Sequence, residues 1–133
     1  MPVATVGDTA TSRMTVSDDT IAQYAELSGD HNPIHTDDDY AEATMFGGRI
    51  AHGMLSAGAI SAALADLPGD IVYLSQDLSF ENPVRPGDTV EARAEVAEAL
   101  GGDRIRVETV ADVVDGDRVL SGEAVVLSVP HEE

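Results

Sequence analysis

The second half of the chain alternates in the manner of a half-buried sheet. Over 70–81, Val72, Leu74, Leu78 and Phe80 share one parity, and over 89–100 acids and Arg alternate with Val90, Ala92, Ala94 and Val96. Ile105, Val107, Thr109 and Val113 face one way over 104–113, and a last strand is predicted near 118–128. Gly101-Gly102-Asp103 and Asp115-Gly116-Asp117 supply turns, while Asn82-Pro83 and Pro86-Gly87-Asp88 punctuate. Successive side chains leave a strand on opposite sides, so this spacing predicts an antiparallel sheet with one wet face.

The first half follows other rules. Residues 8–16 predict a short strand. Ser17 is placed as an N-cap, with Asp18 and Asp19 at the positive end of a helix dipole. That helix carries Ile21, Tyr24, Ala25 and Leu27 at helical spacing and stops at Ser28-Gly29. Residues 28–36 (SGDHNPIHT) are polar and read as a loop, after which Asp37 or Asp38 caps a short helix through Ala43. Past a Gly47-Gly48 turn, His52-Gly53 leads into MLSAGAISAALADL, a run of about three helical turns ended by Pro68-Gly69. Apolarity on all sides predicts that this helix is buried on most of them. A curved antiparallel sheet wrapped around a central apolar helix satisfies the whole order. That is the hot-dog arrangement, an α+β fold, expected here as one domain over 1–133.

Composition sharpens this picture. Aromatics make up 4% of the 133 residues, so the core has to rest on Val, Ala, Leu and Ile. Acids number 25 against 7 basic residues, all of them Arg, for a net charge of -18. The acids are spread along the chain rather than gathered in a tail. Self-repulsion on that scale opposes compaction, and salt relieves it, with a Debye length of about 3 Å at 1 M. Adaptation to high salt is therefore predicted. With no basic patch to displace counterions from phosphates, nucleic acid is not an expected partner. The absence of Cys excludes disulfides, thiolate zinc sites and cysteine nucleophiles. The chain shows neither a signal-peptide pattern at its start nor an apolar stretch of membrane-spanning length, which predicts a cytoplasmic location and no membrane partner. A core this small leaves much surface to water unless the chain oligomerises.

Two segments carry candidate chemistry. The first is Asp30-His31-Asn32-Pro33-Ile34-His35. Pro33 fixes its own φ and restricts Asn32, making a stiff loop that can aim Asp30 and His35 at one point. A carboxylate and an imidazole sharing a water suit hydration of a double bond. Asp30 takes the water's proton during attack on the β-carbon and His35 delivers one to the α-carbon, or the two roles are exchanged. The plain alternative is an Asp in a turn and a surface His. Metal ligation by His31, His35 and His52 is a weaker rival, since their spacing fits no usual zinc motif, and no metal is expected.

The second segment is Arg49-Ile50-Ala51-His52-Gly53-Met54-Leu55, at the start of the apolar helix. Unpaired N–H groups and the helix dipole would polarise a thioester carbonyl there and stabilise an enolate. Gly53 is the natural donor, because no side chain bars approach to its backbone; its alternative is close packing on the sheet. His52 is grouped with it as shaping the substrate end of the helix, against a plain capping or packing role.

Together, SGDHNPIHTDDDYA and FGGRIAHGML, with Phe80-Glu81-Asn82-Pro83-Val84-Arg85-Pro86-Gly87-Asp88 further on, resemble the MaoC-like (R)-specific enoyl-CoA hydratases over nearly the whole chain. The resemblance implies conversion of trans-2-enoyl-CoA to (R)-3-hydroxyacyl-CoA without a metal or redox cofactor, supplying polyhydroxyalkanoate synthesis or acting in fatty-acid metabolism. It implies that Asp30 and His35 activate one water, that the Gly53 N–H holds the thioester oxygen, and that Asn32 supports the loop within reach of the water. It also implies a homodimer whose two sheets join, with coenzyme A held partly by the neighbouring subunit. Some relatives place a Ser on the central helix near the catalytic Asp; the position counted here is Gly58, with Ser56 and Ser61 nearby. His31 is read as a structural or surface residue. Arg49, Arg85 and Arg104 are candidates for the coenzyme A phosphates, each with a surface counter-charge as its alternative. Leu64, Leu67, Val72 and Leu74 are candidates to close the acyl tunnel. Two other functions fit the same fold. A thioesterase would want an acid on the helix, and Asp66 is too near its end. A non-catalytic acyl-CoA binding module would not need Asp30 and His35.

Overall fold

The computed structural model describes residues 2–131. Its sheet runs β1 (Thr9–Thr15), β4 (Thr89–Gly101), β5 (Arg104–Val113), β6 (Arg118–Val129), β2 (Asp70–Gln76) in spatial order, with β3 (Ser79–Phe80) also pairing β6. Every pairing is antiparallel. The helices are α1 (Asp18–Ser28), α2 (Pro33–Thr36), α3 (Asp38–Glu42) and α4 (Gly53–Ala65). The sheet curls around α4, which packs against β1 and β4 and touches β5, β6 and β2. This is the hot-dog fold.

The alternation does what it promised along the central strands. Val90, Ala92, Ala94 and Val96 of β4 are buried, as are Ile105, Val107, Thr109 and Ala111 of β5. Among the described residues the buried hydrophobic core contains only Val, Ala, Leu and Ile, including Ala59, Ile60, Ala63 and Leu64 of α4. Small residues on both surfaces let helix and sheet approach closely, which substitutes for aromatic bulk.

The local signals at α1 also hold. Ser17 accepts a hydrogen bond from the Thr20 N–H, and Gly29 closes the helix in the left-handed region, φ 79°, with its N–H on the Ala25 carbonyl. Three expectations need correction. The polar stretch 28–36 is not all loop, because Asn32 caps α2 with its side chain and Pro33 begins it. The strand over 70–81 is broken: the Asp77 N–H donates to the Glu123 carbonyl and its carboxylate accepts from the Glu123 N–H, so β2 and β3 are separate. Finally, Val72, Leu74 and Phe80, which share a parity, are about half exposed rather than buried. The same holds for one side of α4, where Met54, Gly58, Ser61 and Ala62 face outward. No helix among the described residues is long and apolar enough to cross a membrane.

Candidate active site

The site is assembled where the loop after α1 meets the start of α4. Asp30 sits in a turn of local bonds: its N–H donates to Ser28 Oγ at 3.1 Å, and its carboxylate accepts from the Asn32 N–H at 3.2 Å. Asn32 in turn accepts from the Ile34 N–H at 3.3 Å. One turn of α2 then carries His35 inward, where it is 7% exposed. Its Nδ1 lies 2.8 Å from the Ile50 carbonyl oxygen. A carbonyl can only accept, so Nδ1 carries the hydrogen and Nε2 is the nitrogen left for chemistry. The Ile50 N–H donates back to the Ile34 carbonyl, which ties the two segments together.

Asp30, His35 and His52 bring one side-chain ligand atom each within 4.8 Å of the others. One water making two hydrogen bonds of about 2.8 Å spans such a gap, so Asp30 and His35 can share one. These three could also be asked to hold a metal. However, the rings of His35 and His52 lie with centroids 4.0 Å apart and planes 30° from parallel. Packing this close constrains how far both rings can turn toward a common ion.

Next to them a cavity of about 340 Å³ is lined by His35, His52, Gly53, Ser56, Phe80 and Val84 among others. Gly53 opens α4, and no side chain caps that helix: His52 holds the N-cap position with extended backbone but makes no capping bond. The first-turn N–H groups of an uncapped helix point out of its start, so the cavity receives donors and the positive end of the dipole. A Cβ at Gly53 would stand 2.9 Å from the Phe80 ring, so this residue has to be glycine while the ring stays in place.

The other sequence candidates scatter. His31 is on the surface, 3.8 Å from Glu26. Arg49 is committed to Asp18 and Asp38, in the first turns of α1 and α3, and these bonds push its guanidinium pKa up. Arg85 donates to the Phe46 and Gly48 carbonyls. Both are therefore braces of the site's surroundings, and Arg104 reaches the Leu100 carbonyl. Leu64 and Leu67 belong to the core. Leu74 instead lines a second cavity, of about 420 Å³, on the outer side of α4 with Met54, Gly58, Ser61 and Tyr73. Ser56 is buried on the His35 side of the helix and Ser61 is on the outer side. Phe80 was missed as a site residue; its place in the quoted Phe80–Asp88 segment was the available signal.

Known proteins are similar to this chain in sequence and in fold. The model of the MaoC like domain matches residues 4–117. The 3-hydroxybutyryl-CoA dehydratase of Methylorubrum extorquens is 46% identical over 131 residues, covering 96% of this chain and 82% of that protein. The (R)-specific enoyl-CoA hydratase of Rhodospirillum rubrum is 44% identical over 123 residues, 91% of this chain and 85% of its own. Among solved structures, the (R)-hydratase of Aeromonas caviae involved in PHA biosynthesis superposes with a TM-score of 0.87 at 35% identity, covering 95% of this chain and 97% of that one.

Proposed function

The chain belongs to the MaoC-like domain family, and from that premise we propose that it hydrates trans-2-enoyl-CoA to (R)-3-hydroxyacyl-CoA. Relatives at 44–46% identity carry hydratase and dehydratase names, and the chain is a lyase of this kind. The observation that carries the finer reading is the approach of the Asp30 carboxylate and the His35 imidazole to within 4.8 Å beside an uncapped helix start. Thioester oxygen on the Gly53 N–H draws electron density from the double bond, which opens the β-carbon to attack and stabilises the enolate that forms. A water held between Asp30 and His35 adds through its oxygen to that carbon. One member of the pair starts unprotonated and takes the water's proton; the other starts protonated and gives its proton to the α-carbon, and a proton passing between the two restores the starting state, so the reaction is balanced and reversible. Both groups come from one side of the site, which supports syn addition. The helix itself bears no carboxylate along Gly53–Ala65, and Asp66 is its C-cap, which disfavours the thioesterase reading.

We propose further that the chain works as one domain in a homodimer in the cytoplasm. Edge strand β2, with Val72, Tyr73 and Leu74 exposed, lies next to the bare side of α4. An exposed apolar edge is a template for pairing with a second copy. Supply of polyhydroxyalkanoate synthesis is the proposed destination of the product. The net charge of -18 supports adaptation to salt; Tm is expected to rise by about 5 °C or more between dilute and molar KCl, and a fall would remove that reading.

The test is crotonyl-CoA hydration in molar salt, followed through loss of the enoyl-thioester ultraviolet band. Wild type is expected to turn over, and Asp30→Asn to lose about 10²–10⁴-fold in rate. An undiminished Asp30→Asn rate, or thiol release from saturated acyl-CoA, would overturn the proposal.

A further inference from the structure

His52 is 2% exposed, and its ring contacts two helices and the loop between them. Its Nε2 lies 2.9 Å from the backbone carbonyl oxygen of Asp30, 22 residues away in sequence. Its face lies against His35 of α2, and Tyr24 of α1 stands 4.8 Å off at a tilt of 53°. Because the carbonyl accepts, Nε2 is the donor, and among the described residues the buried Nδ1 has no hydrogen-bond partner.

We propose that His52 is a positioning residue: it holds the Asp30 backbone through Nε2–H and sets the plane of His35 by stacking, so that the pair meets on one water. This rests on the hydratase reading and deepens it. Burying a polar ring costs desolvation of its nitrogens, so an apolar side chain of similar volume would serve better if the position only filled space. The Nε2–H of His52 is already given to the Asp30 carbonyl, which separates its role from that of the Gly53 N–H next door. His52 also occupies the N-cap position without a side-chain capping bond; the Leu55 N–H is taken by the His52 carbonyl, which leaves the Gly53 and Met54 N–H groups at the helix start. Asp30 itself is exposed, and its other hydrogen bonds reach only Ser28 and Asn32 in its own turn. The bond from His52 is what connects that turn to the start of α4.

The test compares His52→Leu, which keeps bulk and loses the donor, with His52→Gln, whose amide N–H₂ reaches about as far as Nε2. Displacement by about 1 Å at a reacting group costs about 10²-fold. His52→Leu is expected to lose about that much in kcat with KM within threefold, and His52→Gln to recover at least tenfold of it. Nitrogen NMR of the wild type is expected to show a protonated Nε2 and a bare Nδ1 on His52, and amide exchange over 28–36 is expected to quicken in His52→Leu but not in His52→Gln. A folded His52→Leu with wild-type kcat, equal losses in both variants, or a protonated Nδ1 with bare Nε2 would overturn the proposal. Should His52→Leu fail to fold, His52→Asn, too short to reach the carbonyl, takes its place against His52→Gln with the same expected gap. If the wild type does not hydrate enoyl thioesters, the function reading falls, and the exchange and NMR results decide the positioning role without it.

Discussion

The two sides of α4 are alike in carrying no charge and meet different surroundings. Inward, Leu55, Ser56, Ala59, Ile60, Ala63 and Leu64 are buried under the sheet, and the helix begins at the cavity of His35 and Gly53. Outward, Met54, Gly58 and Ser61 face the cavity shared with Tyr73 and Leu74, and much of it is open. Bulk separates the sides, with Leu55, Ile60 and Leu64 all inward, and charge does not; the larger difference is what covers them. A helix apolar all round calls for cover all round. On the inner side this chain supplies it, and on the outer side the proposed second copy does.

The comparison can be broken most severely at the reacting pair. His35→Ala removes Nε2 from the inner site and is expected to lower kcat by about 10²–10⁴-fold with the dimer intact, read by steady-state rates beside sedimentation. Leu74→Lys attacks the outer side instead. Placing a charge in an apolar contact costs about 2 kcal/mol or more at a well-packed position, so the dimer constant is expected to weaken by at least about 30-fold. An unchanged sedimentation profile would move the interface elsewhere. Gly53→Ala is smaller in effect: its methyl meets the Phe80 ring, a half-exposed side chain that can swing, so the fold survives. A loss of about tenfold in kcat/KM is expected, because the methyl crowds the carbonyl's approach to the Gly53 N–H. Smallest is Asp66→Asn at the far end of α4, where hydration rates within about twofold of wild type are expected, since one exposed surface charge is worth little. A large loss there would revive the thioesterase reading.

These expectations also show what could be read before the structure was known. β4, β5 and β6 were legible because alternation and glycine turns act locally, and α1 because Ser17 and Gly29 are local caps. The pairing of Asp30 with His35 was legible because Pro33 confines both to one short segment. What escaped was long-range or directed at backbone. The His52 bond ends on the main-chain carbonyl of Asp30, which any residue there would offer, so no side-chain pattern announced it. Arg85 is likewise spent on the Phe46 and Gly48 carbonyls, which its charge alone could not reveal. The exposure of Val72, Leu74 and Phe80 misleads for a different reason: period two tells which residues share a face and says nothing of which chain covers it.

The most direct test of the central claim is conversion of crotonyl-CoA in D₂O at molar salt, with the product resolved by chiral analysis and mass spectrometry. The account predicts (R)-3-hydroxybutyryl-CoA bearing one deuterium at C2, formed by wild type and nearly absent with Asp30→Asn. Free coenzyme A as the main product, or hydration that persists undiminished without the Asp30 carboxylate, would contradict it.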